Sequence, residues 1–228
     1  MVGRVLPRQG HRGRPLNSIV RQPMMRLANV CAIGYFLLAT ACAAAEPPIV
    51  GIWSSVARSK GGLGSQLLFD ANGTTTYTFG AVVDFQYNVQ GDTISMTVVN
   101  PDGSKTTDTL SQTFLLRQET LTLNPDKGQE QQVMRRSSAS ASSDPLIGEW
   151  TYTHYTGGPA FMRYSSRRSA QLTVPMKATK GTFRIEGTAV RIDLAGQGVM
   201  RATVSEDGKL LTVKDGQSRE SKYVPFRY

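Results

Sequence analysis

The 228-residue chain contains only two cysteines and two histidines, and this scarcity excludes several kinds of site. Two cysteines cannot form a disulfide framework or a cysteine-built zinc site. Both cysteines, and one of the histidines, lie within the first 45 residues. If that segment is removed, the folded part has no thiol and only His154. We therefore expect no metal site and no cofactor.

Residues 26–45 have the layout of a secretory signal peptide. Arg26 precedes an apolar run from Leu27 to Leu38, which ends in small residues before Glu46. The run is shorter than the roughly 20 apolar residues that a membrane-spanning helix needs. The sequence therefore predicts export, with residues 1–45 as the leader and the mature protein in the periplasm or attached to the envelope by lipid.

The sequence of the predicted leader does not decide where it is cleaved or where translation starts. Three alanines at 43–45 fit ordinary signal peptidase, whereas the segment ending at Cys42 resembles a bacterial lipobox. In the second case a lipid on Cys42 would provide the only membrane contact. Residues 1–24 are either a long positive n-region or sequence ahead of a true start at Met24 or Met25.

The formal net charge of +9 is concentrated in the leader, which has six arginines and no acidic residue. Removing the leader leaves +3, so the main argument for nucleic-acid binding disappears. Residues 46–143 carry 7 basic and 9 acidic groups, whereas residues 144–228 carry 13 basic and 8 acidic groups. Any electropositive surface should therefore belong to the second half of the chain.

After the leader the sequence has no long helical stripe, but it contains an internal repeat. Three short motifs recur in the same order at offsets of 97, 96 and 90 residues: Gly51-Ile52-Trp53 as Gly148-Glu149-Trp150, Tyr87–Gly91 as Phe183–Gly187, and Leu121-Thr122-Leu123 as Leu211-Thr212-Val213. A tract of serines and alanines separates the copies. We assign residues 46–136 to copy one, 137–144 to a linker and 145–228 to copy two.

Within each copy, apolar and polar residues alternate, which is typical of half-buried strands. In copy one a tight Gly91-Asp92 turn would pair Gln90 with Thr93, and in copy two the same construction uses Gly187-Thr188. The sequence predicts an all-β protein with two tandem small antiparallel β-barrels or meanders. Whether the copies form separate barrels or one joint sheet system stays open.

At these residues the chain resembles the bacterial lipocalin-like domains. Their pattern combines Gly-x-Trp, a Phe-Asp-x-x-Gly-Thr-x-x-Tyr hairpin, Tyr-x-x-x-Gly-Asp, a Leu-Thr-Leu strand and a late arginine. Copy one matches the hairpin with Phe69, Asp70, Gly73, Thr74 and Tyr77. Copy two is looser, because Phe161–Tyr164 and a basic, irregular stretch to Arg168 replace the hairpin.

The resemblance implies a structural role for the Gly-x-Trp motifs. In lipocalins the tryptophan closes the barrel floor, and an arginine from the last strand stacks on it. Arg135 or Arg136 would then serve Trp53, and Arg227 would serve Trp150. The structural set is Gly51, Trp53, Arg135, Gly148, Trp150 and Arg227.

Each copy is short, so a large enclosed cavity is not expected in either barrel. Copy one has smaller residues along its first strand and should have more space. A ligand pocket would lie beside the Lys60–Gly64 loop and would be lined by Ser55, Tyr77, Phe85 and Tyr87. The alternative is that these aromatic side chains fill the core.

No motif indicates catalysis. No Gly-x-Ser-x-Gly nucleophile elbow occurs, and no segment has the spacing of a calcium-binding loop. His154 could ligate a haem, as in haem-binding lipocalin relatives, but a hydrogen-bonded strand residue is the favoured interpretation. We therefore expect a non-catalytic protein.

Two functional hypotheses follow. The first is an exported lipocalin-like protein of the bacterial envelope that binds a small apolar molecule or a protein surface. The alternative is a periplasmic inhibitor or immunity protein that blocks a hydrolase through its basic second copy. The residues for that contact are Arg163, Arg167, Arg168, Lys177 and Lys180.

Overall fold

A computed structural model describes residues 49–138 and 142–228. The predicted leader, the proposed lipid-attachment residue Cys42 and the middle of the linker lie outside the described residues. None of the described residues forms a helix long and apolar enough to cross a membrane.

The described chain is all-β, as the alternating pattern predicts. Seven strands come from each copy, and one 3-10 turn at Gly128–Glu130 interrupts copy one. Copy one contains β1 (Gly51–Ser55), β2 (Leu63–Phe69), β3 (Thr74–Gln90), β4 (Thr93–Val99), β5 (Lys105–Arg117), β6 (Thr120–Leu123) and β7 (Gln132–Arg136). Copy two contains β8 (Gly148–Thr153), β9 (Pro159–Tyr164), β10 (Ser169–Glu186), β11 (Ala189–Leu194), β12 (Gly198–Val204), β13 (Leu211–Lys214) and β14 (Glu220–Phe226).

The strands form one closed antiparallel ring with a pairing across its middle. Each strand pairs with the next one along the chain, and β1 pairs with β14 to close the ring. In addition, β3 pairs with β10 over almost the full length of both strands. This cross-pairing divides the ring into two closed circuits of eight strands. The first barrel contains β1–β3 and β10–β14, and the second barrel contains β3–β10.

Both barrels therefore combine strands from the two copies. The two long strands, of 17 and 18 residues, each belong to both barrels. The first half of β3 pairs with β2 and its second half with β4, whereas β10 pairs first with β9 and then with β11. At about 3.3 Å per residue, β3 extends over roughly 55 Å, which is long enough to serve two barrels. The pairing decides the point that the sequence left open: the copies form one joint sheet system.

The predicted hairpin registers are confirmed. Gln90 pairs with Thr93, and Glu186 pairs with Ala189. The turn glycines Gly91 and Gly187 have φ values of 61° and 65°, in the left-handed region where glycine carries no steric penalty. Local alternation and turn chemistry are sufficient to set this register.

The basic stretch of copy two is a tight turn and not an irregular segment. The amide of Ser165 donates to the carbonyl of Ser169 at 2.9 Å, as the amide of Asp70 does to the carbonyl of Thr74 in copy one. Arg168 has a φ of 60°, a conformation that glycine adopts more readily. Copy two therefore keeps the hairpin without its sequence signature.

Each barrel has its own hydrophobic core. The core of the first barrel includes Trp53, Leu67 and Phe69 of copy one with Ile192 and Leu211 of copy two. The core of the second barrel also takes residues from both copies. Met96, Leu121 and Met134 of copy one pack with Trp150 and Tyr164 of copy two. Neither core exists within one copy alone.

A glycine permits the close approach of β3 and β10 at the centre of the cross-pairing. Gly80 lies opposite Pro175, next to a bulge at Met176. A Cβ atom on Gly80 would overlap the carbonyl oxygen of Val174 and lie 3.0 Å from the Cα of Pro175. The backbone of β10 occupies the space that any side chain here would need.

We expect Gly80→Ala to lower the free energy of unfolding by about 1–3 kcal/mol, because backbone must move to admit the methyl group. Urea denaturation would measure the change. Gly158→Ala is the matched control, since a Cβ there meets no atom within 4 Å. Equal stability of the two variants would show that the crossing is not tightly packed.

Candidate functional site

The two Gly-x-Trp motifs have the same local structure. Trp53 and Trp150 are almost completely buried. The indole Nε1 of Trp53 donates to the carbonyl of Ile49 at 2.7 Å, and that of Trp150 donates to the carbonyl of Leu146 at 2.9 Å. Buried indoles with satisfied N–H groups are anchors of the barrel cores.

Trp150 has the stacked arginine that the resemblance implies. The arginine, however, comes from the other copy. The guanidinium carbon of Arg136 lies 4.2 Å from the ring centroid of Trp150. Arg136 also donates to the carbonyl of Ile147 at 2.9 Å and forms an ion pair with Glu119 at 3.2 Å. The assignment of this arginine to Trp53 was wrong, because β7 pairs with β8 of the other copy.

The other proposed arginines do not contact a tryptophan. Arg135 points to solvent, and Arg227 donates to the carbonyl of Gly208 at 3.0 Å. Trp53 lies opposite Pro225 on β14, at the position that corresponds to Arg136 opposite Trp150. The predicted stacking of Arg227 on Trp150 was therefore wrong, since β14 closes the first barrel and Trp150 belongs to the second.

The four residues proposed for a ligand pocket do not surround one cavity. Tyr77 packs against the core of the first barrel, whereas Phe85 and Tyr87 belong to the core of the second barrel. The hydroxyl of Ser55 accepts a hydrogen bond from the amide of Ser65. The prediction of a single pocket fails because β3 passes from one barrel to the other between Tyr77 and Phe85.

A groove does lie beside the glycine-rich loop, but on the outside of the barrels. This valine groove has a volume of about 550 Å³ and lies between the 58–62 loop and the end of β4. Its apolar lining consists of Val82, Val83, Val98 and Val99. Each consecutive pair of valines breaks the period-two pattern, so one valine of each pair must face outward. That interruption is the signal in the sequence that indicates an apolar outer surface.

The charges around the valine groove are balanced. Arg58 is buried and forms an ion pair with Asp84 at 2.7 Å. Arg58 also donates to the carbonyl of Val82, which fixes the loop against β3. Lys60 and Asp102 add one charge of each sign to the lining. The groove therefore favours an uncharged ligand over a strongly charged one.

Arg163 does not belong to an exposed basic surface, which corrects the prediction for this residue. It is 6% exposed and forms an ion pair with Glu149 at 2.7 Å. Its Nη1 donates to Thr173 at 2.9 Å. The side chain joins a buried polar contact between the outer walls of the two barrels, so it is unavailable to a partner.

This inter-barrel network connects strands of both barrels through hydrogen bonds. Gln66 on β2 donates to Gln171 on β10 at 2.6 Å, and Gln171 donates to Asp84 on β3 at 2.7 Å. The network comprises Ser54, Arg58, Gln66, Asp84, Glu149, Arg163, Gln171 and Thr173. Buried polar groups with satisfied partners fix one relative arrangement of the surfaces that carry them.

The remaining predicted basic residues are exposed but do not form one patch. Arg167 and Arg168 occupy the turn between β9 and β10, and Arg168 lies 5.6 Å from the ring centroid of Tyr87. Lys177 and Lys180 lie along β10, roughly 30 Å or more from that turn at the usual rise of a strand. Because β10 is an extended strand, the two arginines and the two lysines lie far apart although they are close in the sequence.

Arg167 instead lines a groove with Lys209 and Arg227, which were not predicted to share a surface with it. A basic groove of about 530 Å³ lies between the β9–β10 turn, the β12–β13 turn and the end of β14. Its lining comprises Arg167, Ser169, Asp207, Lys209, Val224, Pro225, Phe226 and Arg227. These elements are distant in sequence, and no local pattern brings them together.

A buried tyrosine in the second barrel lacks a hydrogen-bond partner. Tyr164 is fully buried, and burial raises the pKa of its hydroxyl far above the usual range. Tyr87 packs edge-on against it at 5.2 Å, but the hydroxyl of Tyr87 donates to the carbonyl of Ser165. Neither hydroxyl is placed to act as an acid or base near neutral pH.

The described residues contain no group of three or more histidine, cysteine or acidic side chains that could hold a metal ion. His154 follows β8 and its Nδ1 lies 2.9 Å from the hydroxyl of Thr156. It therefore belongs to the β8–β9 turn and does not extend into the barrel.

Comparison of the chain with models of protein families, with curated proteins and with solved structures finds no match.

We expect Arg136→Lys to lower the free energy of unfolding by about 1–2 kcal/mol. Lysine keeps the charge beside Glu119 but loses the planar stacking on Trp150 and the forked hydrogen bonds. Chemical denaturation monitored by tryptophan fluorescence would measure the change. Arg135→Lys and Arg227→Lys are controls and should alter stability by less than about 0.5 kcal/mol. A comparable loss in Arg227→Lys would contradict the assignment.

Proposed function

We propose that the protein is an exported, non-catalytic, lipocalin-like binding protein of the bacterial envelope. The signal-peptide pattern in residues 26–45 supports export. The Gly-x-Trp anchors, the tight hairpins and the closed antiparallel barrels support the lipocalin-like part of the proposal. The binding role rests on the surface grooves described above.

The filled interiors support a ligand site on the outside of the barrels. Each core is packed with large side chains, including Trp53 and Phe69 in the first barrel and Trp150 and Tyr164 in the second. The apolar lining and balanced charge of the valine groove fit a small, uncharged, apolar molecule. The apolar lining of the valine groove therefore supports ligand binding beside the 58–62 loop and not at the open end of a barrel.

A neutral fluorophore such as Nile red tests this site. We expect saturable binding to the full chain and a dissociation constant roughly tenfold higher for Val99→Asn, because one apolar contact is lost. Val133→Asn is the matched control, since Val133 is 51% exposed on β7 and does not line the groove. Tyr87→Phe should bind normally because its ring lies inside the second barrel.

Equal weakening by Val99→Asn and Val133→Asn would show nonspecific adsorption and reject the valine groove. Loss of binding in Tyr87→Phe, in a variant that remains folded by circular dichroism, would instead place the ligand within the second barrel.

Export leaves two forms of the mature protein to distinguish. Cleavage after Ala45 would release a soluble chain, whereas modification of Cys42 would attach it to the envelope. Palmitate labelling of cells that express the native chain or Cys42→Ser separates the two: labelling that disappears in the variant supports the lipid anchor.

A second candidate function is inhibition of, or immunity against, a periplasmic hydrolase. The exposed Arg167 and Arg168 and the basic groove favour it, because a cationic surface can complement an acidic enzyme cleft. In this role the β9–β10 turn would approach the enzyme, and Arg163 would hold the barrel wall behind it.

We expect the purified protein to retain a stoichiometric hydrolase from envelope extract and to inhibit that enzyme. The double variant Arg167→Glu, Arg168→Glu should lose both properties, whereas Lys177→Glu, Lys180→Glu carries the same charge change elsewhere and should keep them. Inhibition that survives reversal of the two arginines would reject this candidate.

A further inference from the structure

We propose that the basic groove and the groove beside it bind an extended segment of a partner protein that has acidic residues at one end and apolar residues at the other. The proposal rests on the second candidate function and names the chemistry of its partner. It depends on the charge of the groove, on its apolar floor and on a second groove that continues from it.

The basic groove has a surplus of positive charge. Asp207 is the only acidic residue in its lining, and Asp207 already forms an ion pair with Lys209 at 3.3 Å. A hydrogen bond from Ser205 also lowers the pKa of Asp207, which keeps this carboxylate ionised. Two arginines, Arg167 and Arg227, remain without a carboxylate partner among the described residues.

The two arginines can bind carboxylates in a defined geometry. Arg227 is held in place by its hydrogen bond to the carbonyl of Gly208. Arg167 belongs to the β9–β10 turn, lines the same groove and is exposed. Guanidinium groups present paired N–H donors that match carboxylate oxygens, and such charge-assisted bonds are stronger than neutral ones.

The floor between the arginines is apolar. It consists of Val224, Pro225 and Phe226, and Val224 is 41% exposed. Proline has no N–H group, so the floor offers fewer backbone donors than an ordinary strand would. A ligand that offers only a carboxylate would leave this surface in contact with water.

A second groove of about 460 Å³ adjoins the first and shares Phe226 and Arg227 with it. Its lining adds the apolar residues Ile52, Leu68 and Tyr228. It also contains Asp70 and Glu149, which would repel acidic groups. The acidic side chains of the partner should therefore contact the Arg167 side, and an apolar side chain should enter the second groove.

Two adjoining grooves with linings of different chemistry favour a peptide chain over a compact small molecule. In an extended chain, successive side chains point to opposite sides, so alternate residues can reach one surface. The basic groove would contact the acidic end of such a segment, and its neighbour would contact the apolar end.

Isothermal titration calorimetry with three capped hexapeptides tests the proposal on the full chain. One peptide has three glutamates followed by three leucines, the second replaces glutamate by glutamine, and the third replaces leucine by glycine. We expect the first to bind at least tenfold more tightly than either of the others. Its affinity should fall as salt concentration rises.

The arginines are tested by charge reversal. We expect Arg167→Glu and Arg227→Glu each to weaken binding of the first peptide about tenfold or more. Lys180→Glu, an equal charge change on β10 away from the groove, should leave the affinity within about twofold. Circular dichroism would show that each variant remains folded, which is expected because all three side chains are exposed.

Three outcomes would overturn the proposal: no peptide binding at millimolar concentration, equal affinity for the glutamate and glutamine peptides, or equal weakening by Lys180→Glu and Arg167→Glu. Octanoate that competes at concentrations similar to those of the first peptide would also overturn it, by showing a site for a small amphipathic anion. Peptide binding without a captured or inhibited hydrolase would reject the second candidate function and leave the groove specificity supported.

Discussion

The pairing of β3 with β10 is the interaction on which the rest of the structure depends. Thirteen residue pairs join the two strands, from Ser169 opposite Gln86 to Thr182 opposite Thr74. Because each strand contributes one half to each barrel, the pairing makes both barrels closed circuits. The Gly80 backbone and the bulge at Met176 allow the strands to approach closely at the centre. Loss of this pairing would open both barrels at once, so their stabilities are coupled.

The exchange of strands also explains where polar residues are buried. In a single small barrel the outward residues of β1, β2, β8 and β9 would contact water. Here the outer walls face each other, and the inter-barrel network satisfies the groups that this contact buries. Desolvation of the Arg163–Glu149 pair offsets much of its Coulombic attraction, so the pair by itself is weak evidence for net stability.

The filled cores and the exchanged strands are the reason that we propose binding sites on the outer surface. The large side chains that close the barrels leave the valine groove and the basic groove as places for binding. Both grooves lie where turns of different strands meet, so their residues come from distant parts of the chain. The two grooves differ in charge: the charges of the valine groove are balanced, whereas two arginines of the basic groove have no acidic partner among the described residues.

Several features follow from local sequence. Alternation of apolar and polar residues predicts the strands, and the Gly91-Asp92 and Gly187-Thr188 turns predict two registers correctly. The Gly-x-Trp recurrence identifies both core anchors, because the same motif makes the same hydrogen bond to the residue four positions earlier. The partner of each tryptophan does not follow from the sequence, since it depends on which barrel receives the last strand of each copy. Arg136 therefore stacks on Trp150, and Pro225 lies opposite Trp53.

The sequence by itself determined the all-β class, the recurrence of motifs in two copies and the concentration of positive charge in residues 1–45 and in copy two. These properties depend on composition and on contacts between neighbouring residues. Only the tertiary structure decided that the copies exchange half-barrels, that Arg163 is buried and that Arg167 and Arg227 line one groove. Each of those outcomes depends on pairing between residues far apart in the chain, and a repeat is equally compatible with strands that pair within a copy or between copies.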